Sequence, residues 1–94
     1  MDLRFEWDPA KDEANARKHG VTFHDASSAF SDPLSSTIAD PDHSEREDRF
    51  LLLGQDRSGR LLVVTHTERG NTIRIISARP ATRSERRDYE EADG

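Results

Sequence analysis

One stretch of this chain carries most of its reactive side chains. Between residues 66 and 89 stand His66, Glu68, Arg69, Arg74, Arg79, Arg83, Arg86 and Tyr89. Cleaving an RNA phosphodiester without a metal needs three contributions that such residues can make. A base takes the proton from the 2′-hydroxyl, cations stabilise charge on the phosphoryl oxygens, and an acid protonates the leaving oxygen. Histidine or glutamate can be the base, arginine the cation, and histidine, lysine or tyrosine the acid. No spacing within the set is diagnostic, and each member has a structural use as well. A histidine at a strand end is more often structural than catalytic. Glu68 and Arg69 are ordinary turn residues. Arg83, Arg86 and Arg87 can pair along a helix with Asp88, Glu90 and Glu91, and Tyr89 can pack that helix onto a sheet.

Charge is unevenly spread around this set. The net charge is −5, which on its own disfavours a polyanionic partner. From Arg57 to Arg87, however, eight arginines stand against only Glu68 and Glu85, a local balance of +6. The other residues carry six basic and seventeen acidic groups, −11 in all. A molecule divided in this way can draw a polyanion to one face. Arginine's planar fork suits bidentate contact with phosphate, although an arginine-rich composition also puts arginine on surfaces that bind nothing.

These residues need elements to hold them. Leu3 to Trp7 alternates apolar and polar residues, the pattern of a short half-buried strand. Asp8-Pro9 reads as an N-cap with proline at the first helical position, opening a helix over Ala10 to His19 that Gly20 stops. Thr22 with Asp25 resembles a capping box for a second helix, with Phe23, Ala26, Ala29 and Phe30 at helical spacing and Asp32-Pro33 at its end. Ser36 to Ala39 is a candidate short strand in a loop-like stretch. Three strands follow, Arg49 to Leu53, Arg60 to Thr67 and Thr72 to Ala78, joined by short Gly-bearing turns in an antiparallel meander. Thr82 with Glu85 opens a last helix to about Glu91. The order β-α-α-β-β-β-α implies an α+β fold, a small antiparallel sheet with helices packed on one side. Strict alternation puts Leu62, Val64 and His66 on one face of their strand. It groups Ile73, Ile75, Ser77 and Arg79 on one face of the next, with Thr72, Arg74, Ile76 and Ala78 opposite.

Size and composition set the remaining bounds. A chain of 94 residues is expected to be a single domain over 1–94, with a modest core given 32% apolar residues. With no cysteine, disulfides and thiolate metal sites are excluded. The opening residues lack an apolar signal region and the longest apolar run is Leu61 to Val64, so a cytoplasmic location and no membrane association are expected. No cofactor motif is present, and no metal site is expected. His19 and His24 straddle a helix break. Asp40, Asp42, His43 and Glu45 form an acidic turn without the glycine and ligand periodicity of a calcium loop.

Several segments occurring in order are more specific than this chemistry. They are Phe5-Glu6-Trp7-Asp8-Pro9-Ala10-Lys11, Asn15-Ala16-Arg17-Lys18-His19-Gly20-Val21-Thr22-Phe23, Asp32-Pro33-Leu34, His66-Thr67-Glu68-Arg69-Gly70, Ile73 to Arg79, and Arg83 to Glu90. With them the chain closely resembles the BrnT family of bacterial toxins, from Phe5 to Glu91. The resemblance implies a RelE-like fold and a metal-independent endoribonuclease that cleaves RNA and arrests translation. It also implies a cognate BrnA-type ribbon-helix-helix antitoxin. Toxin and antitoxin would form a heterotetramer that reaches operator DNA only through the antitoxin. Carried over by position, His66, Glu68, Arg69, Arg74 and Arg79 form the expected active face, with His66 or Glu68 as base and Arg69 and Arg79 on the phosphoryl group. Lys11, Lys18, Arg74, Arg83 and Arg86 are expected on the RNA, and Tyr89 or Lys11 near the leaving group. Pro80 departs from the family, which often has a basic residue there. The competing expectation is a catalytically degenerate toxin that serves as the antitoxin's corepressor, its arginines binding an acidic protein segment instead of RNA.

Overall fold

The N-terminal helix follows the capping logic of its sequence. In the computed structural model, which describes residues 2–42 and 48–93, strand β1 (Arg4–Glu6) leads into helix α1 (Pro9–His19). The Asp8 side chain accepts from the Ala10 N–H at 2.8 Å. Gly20 closes α1 with φ 71°, the left-handed conformation that glycine adopts without a Cβ penalty. Helix α2 (Phe23–Ser27) is capped by Thr22 and runs on into a 3₁₀ turn (Ser28–Ser31). Then come β2 (Ser36–Ala39), β3 (Arg49–Gln55), β4 (Leu61–Arg69), β5 (Thr72–Pro80) and α3 (Arg83–Asp93). The candidate strand at Ser36 is therefore real. His43 and Glu45 of the acidic turn lie outside the described residues.

The strands form one sheet in the order β1-β5-β4-β3-β2. The four strands from β2 to β5 are an antiparallel meander, whereas β1 joins β5 in parallel through Arg4 to Glu6 opposite Thr72 to Arg74. The sheet is thus mixed: after β1 the two helices carry the chain to the far edge at β2, and the meander brings it back so that β5 runs alongside β1 in the same direction. One face of the sheet carries the core. Val21, Phe23, Ala26 and Ala29 pack there on Leu52, Leu62, Val64, Ile73, Ile75 and Ala78, with Phe5, Trp7 and Phe30 at the margin. Gly54 lets the 3₁₀ turn approach, since a Cβ there would lie 2.9 Å from the Ser35 Cβ and 3.0 Å from the Ala29 carbonyl oxygen.

Helix α1 places no apolar side chain in this core and docks through polar ones: Asp12 accepts from the Phe23 N–H at 2.8 Å, and Asn15 is buried. Asn15 donates to the carbonyls of Val21 and Ala78 at 2.9 and 2.8 Å and accepts from the Ala78 N–H at 3.1 Å. β1 covers only the first three residues of β5, so the Asn15 amide completes the uncovered edge farther along. Every amide group it uses is matched, as burial demands. Helix α3 takes the other side. Glu85 and Asp88 share a cavity of about 280 Å³ with Ser36, Ile38, Leu51, Leu53 and Val63. Leu51, Leu53 and Val63 alternate with the core residues Leu52, Leu62 and Val64, so they face away from α1 and α2. The helices therefore do not all share one side of the sheet.

Candidate active site

A single irregularity decides which arginines meet. On β5, Thr65 of β4 is opposite Ser77 while His66 is opposite Ile75, leaving Ile76 as an extra residue. Such a bulge shifts the alternation by one. Ile73, Ile75 and Ala78 all face the core, and Thr72, Arg74, Ser77 and Arg79 all face the opposite, open side. Strict alternation had separated Arg74 from Arg79; the bulge puts them on one face.

Cross-strand pairing extends that face. Arg49 of β3 is opposite Thr67, Thr67 is opposite Arg74, and Arg74 is opposite Glu6 of β1. The next row joins Arg69, Thr72 and Arg4. A cleft of about 220 Å³ lies among Glu6, Thr67, Arg69, Thr72 and Arg74. Within it the Arg74 Nη1 meets the Glu6 Oε2 at 2.9 Å, both side chains being about half exposed. Arg49 and Arg69 make no ion pair with any described residue. Guanidiniums above threonine hydroxyls suit an oxyanion such as phosphate. Sequence reading did not include Arg4, Glu6 or Arg49 in the site. Register supplies them, and a tally of charge along the chain does not contain register.

His66 stands on the other face. It is fully buried, edge-on to Phe30 at 4.8 Å between ring centroids and tilted against Phe50 at 6.0 Å. Its Nδ1 lies 3.1 Å from the Val64 carbonyl, which can only accept, so Nδ1 carries the hydrogen there. Its Nε2 shares a hydrogen bond of 2.9 Å with the Glu68 Oε2. With both nitrogens engaged and no exposed surface, the ring cannot reach a ribose hydroxyl without local opening. Glu68 sits at the rim of the same core face, partly exposed. The expected single active face of His66, Glu68, Arg69, Arg74 and Arg79 is thus divided by the sheet.

The C-terminal residues divide as well. Arg79 lies about 16 Å along β5 from Arg74. It holds Glu85 with two N–H groups at 2.8 and 2.9 Å. That fork, with help from the Thr82 N–H, outweighs partial burial and brings the Glu85 carboxyl down to about 2. Tyr89 is buried and its hydroxyl donates to the Asp32 Oδ2 at 2.6 Å. Burial would raise the Asp32 carboxyl, but bonds from the Gln55 N–H, Tyr89 and the Leu34 N–H together hold it below the usual carboxylate range. The expected acid is therefore an anchor that ties α3 to the end of the 3₁₀ turn. Arg83 and Arg86 are exposed on α3. Lys11 and Lys18 are exposed on α1, in the helical layer across the sheet from the arginine cleft.

A family model described as the ribonuclease toxin BrnT of type II toxin-antitoxin systems matches residues 7–85. The chain belongs to the BrnT family. The 1.1 Å crystal structure of the Brucella abortus ribonuclease toxin BrnT is similar, with a TM-score of 0.66 at 23% identity over 86% of this chain and 99% of that one. That likeness speaks for the shared α+β fold. No curated protein matches the chain in sequence. As a BrnT-family member the chain is a ribonuclease toxin of a type II system, a class in which a protein antitoxin is the partner. None of the described helices is long and apolar enough to cross a membrane.

Proposed function

We propose that the chain is a metal-independent endoribonuclease that binds RNA on the open sheet face, cleaves it and arrests translation in the cytoplasm. A BrnA-type ribbon-helix-helix antitoxin neutralises it, and a heterotetramer of the two reaches operator DNA through the antitoxin. The observation that carries the RNA site is the row Arg49-Thr67-Arg74 beside Arg69, which makes no ion pair with a described residue. Guanidiniums stabilise phosphoryl charge directly, which is the part a metal would otherwise play. Arg69, Arg74 and Arg49 take the phosphates around the scissile bond. Arg83 and Arg86 extend the basic track along α3. Arg79 keeps α3 in place through Glu85, while His66 holds Glu68 and the Val64 backbone. Lys11 and Lys18, on the helical layer, stand apart from this track.

Arg74 and Arg79 already hold carboxylates of this chain, which favours a second reading. The same forks can grip acidic residues of an antitoxin, and a toxin without activity would then serve only as corepressor. Expression of the chain alone separates the two readings. The enzyme reading expects growth arrest with RNA decay, both abolished in Arg69→Ala/Arg74→Ala. Harmless expression of the wild-type chain with intact antitoxin binding supports the corepressor and overturns the enzyme.

A further inference from the structure

Among its strand residues, the open face carries one charge of the wrong sign for binding RNA. Of the strand residues that pairing places there, Arg4, Arg49, Arg69, Arg74 and Arg79 are cationic and Glu6 is the sole carboxylate. Glu6, on the edge strand β1, lines the arginine cleft and is ion-paired to Arg74 within it. Placed among phosphates, it weakens affinity by repulsion unless it contributes to the chemistry. We propose that Glu6 is the general base of RNA cleavage and that Arg74 positions it, an inference that rests on the RNA-cleaving reading above.

The other carboxylates near the strand ends are less suited. Glu68 is on the opposite face and hydrogen-bonds His66. Glu85 is gripped by two Arg79 N–H groups and the Thr82 N–H, and its carboxyl at about 2 makes it a poor proton acceptor. Glu6 is held by one guanidinium through Oε2, and Oε1 makes no hydrogen bond with a described residue. The side chain is 52% exposed, so a ribose can approach it. A phosphate seated on Arg69 and Arg74 would occupy the cleft that Glu6 also lines.

The step balances without a co-reactant beyond water. Glu6 Oε1 takes the proton of the 2′-hydroxyl as O2′ bonds to phosphorus. The bond from phosphorus to O5′ breaks, and the leaving oxygen takes a proton from water. The products are a 2′,3′-cyclic phosphate and a 5′-hydroxyl, and Glu6 returns its proton to solvent. Nothing is oxidised or reduced.

The test compares the full chain with Glu6→Gln and Glu6→Asp on a fluorescent RNA oligonucleotide from about pH 3 to 9, a range that spans the ordinary carboxylate titration. General-base removal lowers kcat by about 100-fold or more. Glu6→Gln is expected to show that loss, to lose the acid limb of the pH-rate profile, and to bind RNA as tightly as wild type or more so. Glu6→Asp recovers part of the rate. A purely structural ion pair would instead weaken binding and melting together and leave the pH profile unmoved. Glu6→Gln cleaving at the wild-type rate with its acid limb intact overturns the assignment while leaving the enzyme reading standing. Failure of the folded wild-type chain to cleave overturns both.

Discussion

Asn15 and His66 are buried polar residues whose roles are set by their partners: the Val21 and Ala78 backbone for Asn15, and the Val64 carbonyl and Glu68 carboxylate for His66. Asn15→Ala leaves the Val21 carbonyl and both Ala78 backbone groups without their partner. An unsatisfied buried group costs about 1–3 kcal/mol. Partial relaxation leaves an expected loss of about 3 kcal/mol, read as a lower urea midpoint with an unchanged slope. His66→Ala opens a hole beneath Phe30 and Phe50 and should cost about 2–4 kcal/mol, on the scale of large-to-small core changes. Its loss of activity should track its loss of folded protein. Arg69→Ala should melt like wild type and lose RNA affinity. A folded, stable but inactive His66→Ala would contradict the structural role given to the ring. The sequence named His66 but did not show its burial, because a strand-end histidine looks alike whether the next layer is helix or solvent. Asn15 was visible only as part of a motif, since its partners lie 6 and 63 residues away.

At the scale of elements, the helix caps, the glycine stop and the meander were legible because each rests on local chemistry. The bulge at Ile76 was not, because nothing in Ile75-Ile76-Ser77 announces which residue is extra. That one residue reverses the facing of Arg79, and with it the composition of the open face. The position of α3 depends on the same strand end. Arg79-Glu85 and Tyr89-Asp32 join it to β5 and to the 3₁₀ turn. Glu85 is lowered in the folded chain from 4.5 to about 2. A group lowered on folding adds stability above its unfolded value, and that stability fades as pH falls through the folded value. Both side chains are partly exposed, so solvent screening reduces the effect to about 1 kcal/mol. Thermal melts from pH 6 to 2 should therefore show wild type losing stability between about pH 5 and 2. Glu85→Gln should start lower and fall less steeply. Identical slopes would remove the Arg79-Glu85 fork as an acid-sensitive tie.

The whole molecule is a sheet with two unlike faces. One buries the aromatic and aliphatic core under α1 and α2. The other is covered by α3 at one end and leaves arginines exposed around the buried Thr67 at the other. The charge split between the arginine-rich segment and the rest was legible in the sequence, but its spatial form was not. Arg4 and Arg49 come from the acidic remainder of the chain and join the basic end through strand pairing. RNA affinity should therefore fall with salt, with a slope that drops by roughly 0.7 for each phosphate-contacting arginine removed. Titrations of Arg49→Ala and Lys18→Ala at several salt concentrations check this: the first should flatten the slope and the second should not.

The central claim is that this chain cuts RNA on its open sheet face. The most direct measurement is single-turnover cleavage of purified RNA, with chelator present, by wild type, Arg69→Ala/Arg74→Ala and Lys11→Ala/Lys18→Ala, each shown folded by circular dichroism. The account predicts cleavage by wild type and by the lysine variant at similar rates, with the arginine variant slower by about 100-fold or more, the scale of losing transition-state charge stabilisation. Undiminished cleavage by the arginine variant, or loss confined to the lysine variant, would contradict it.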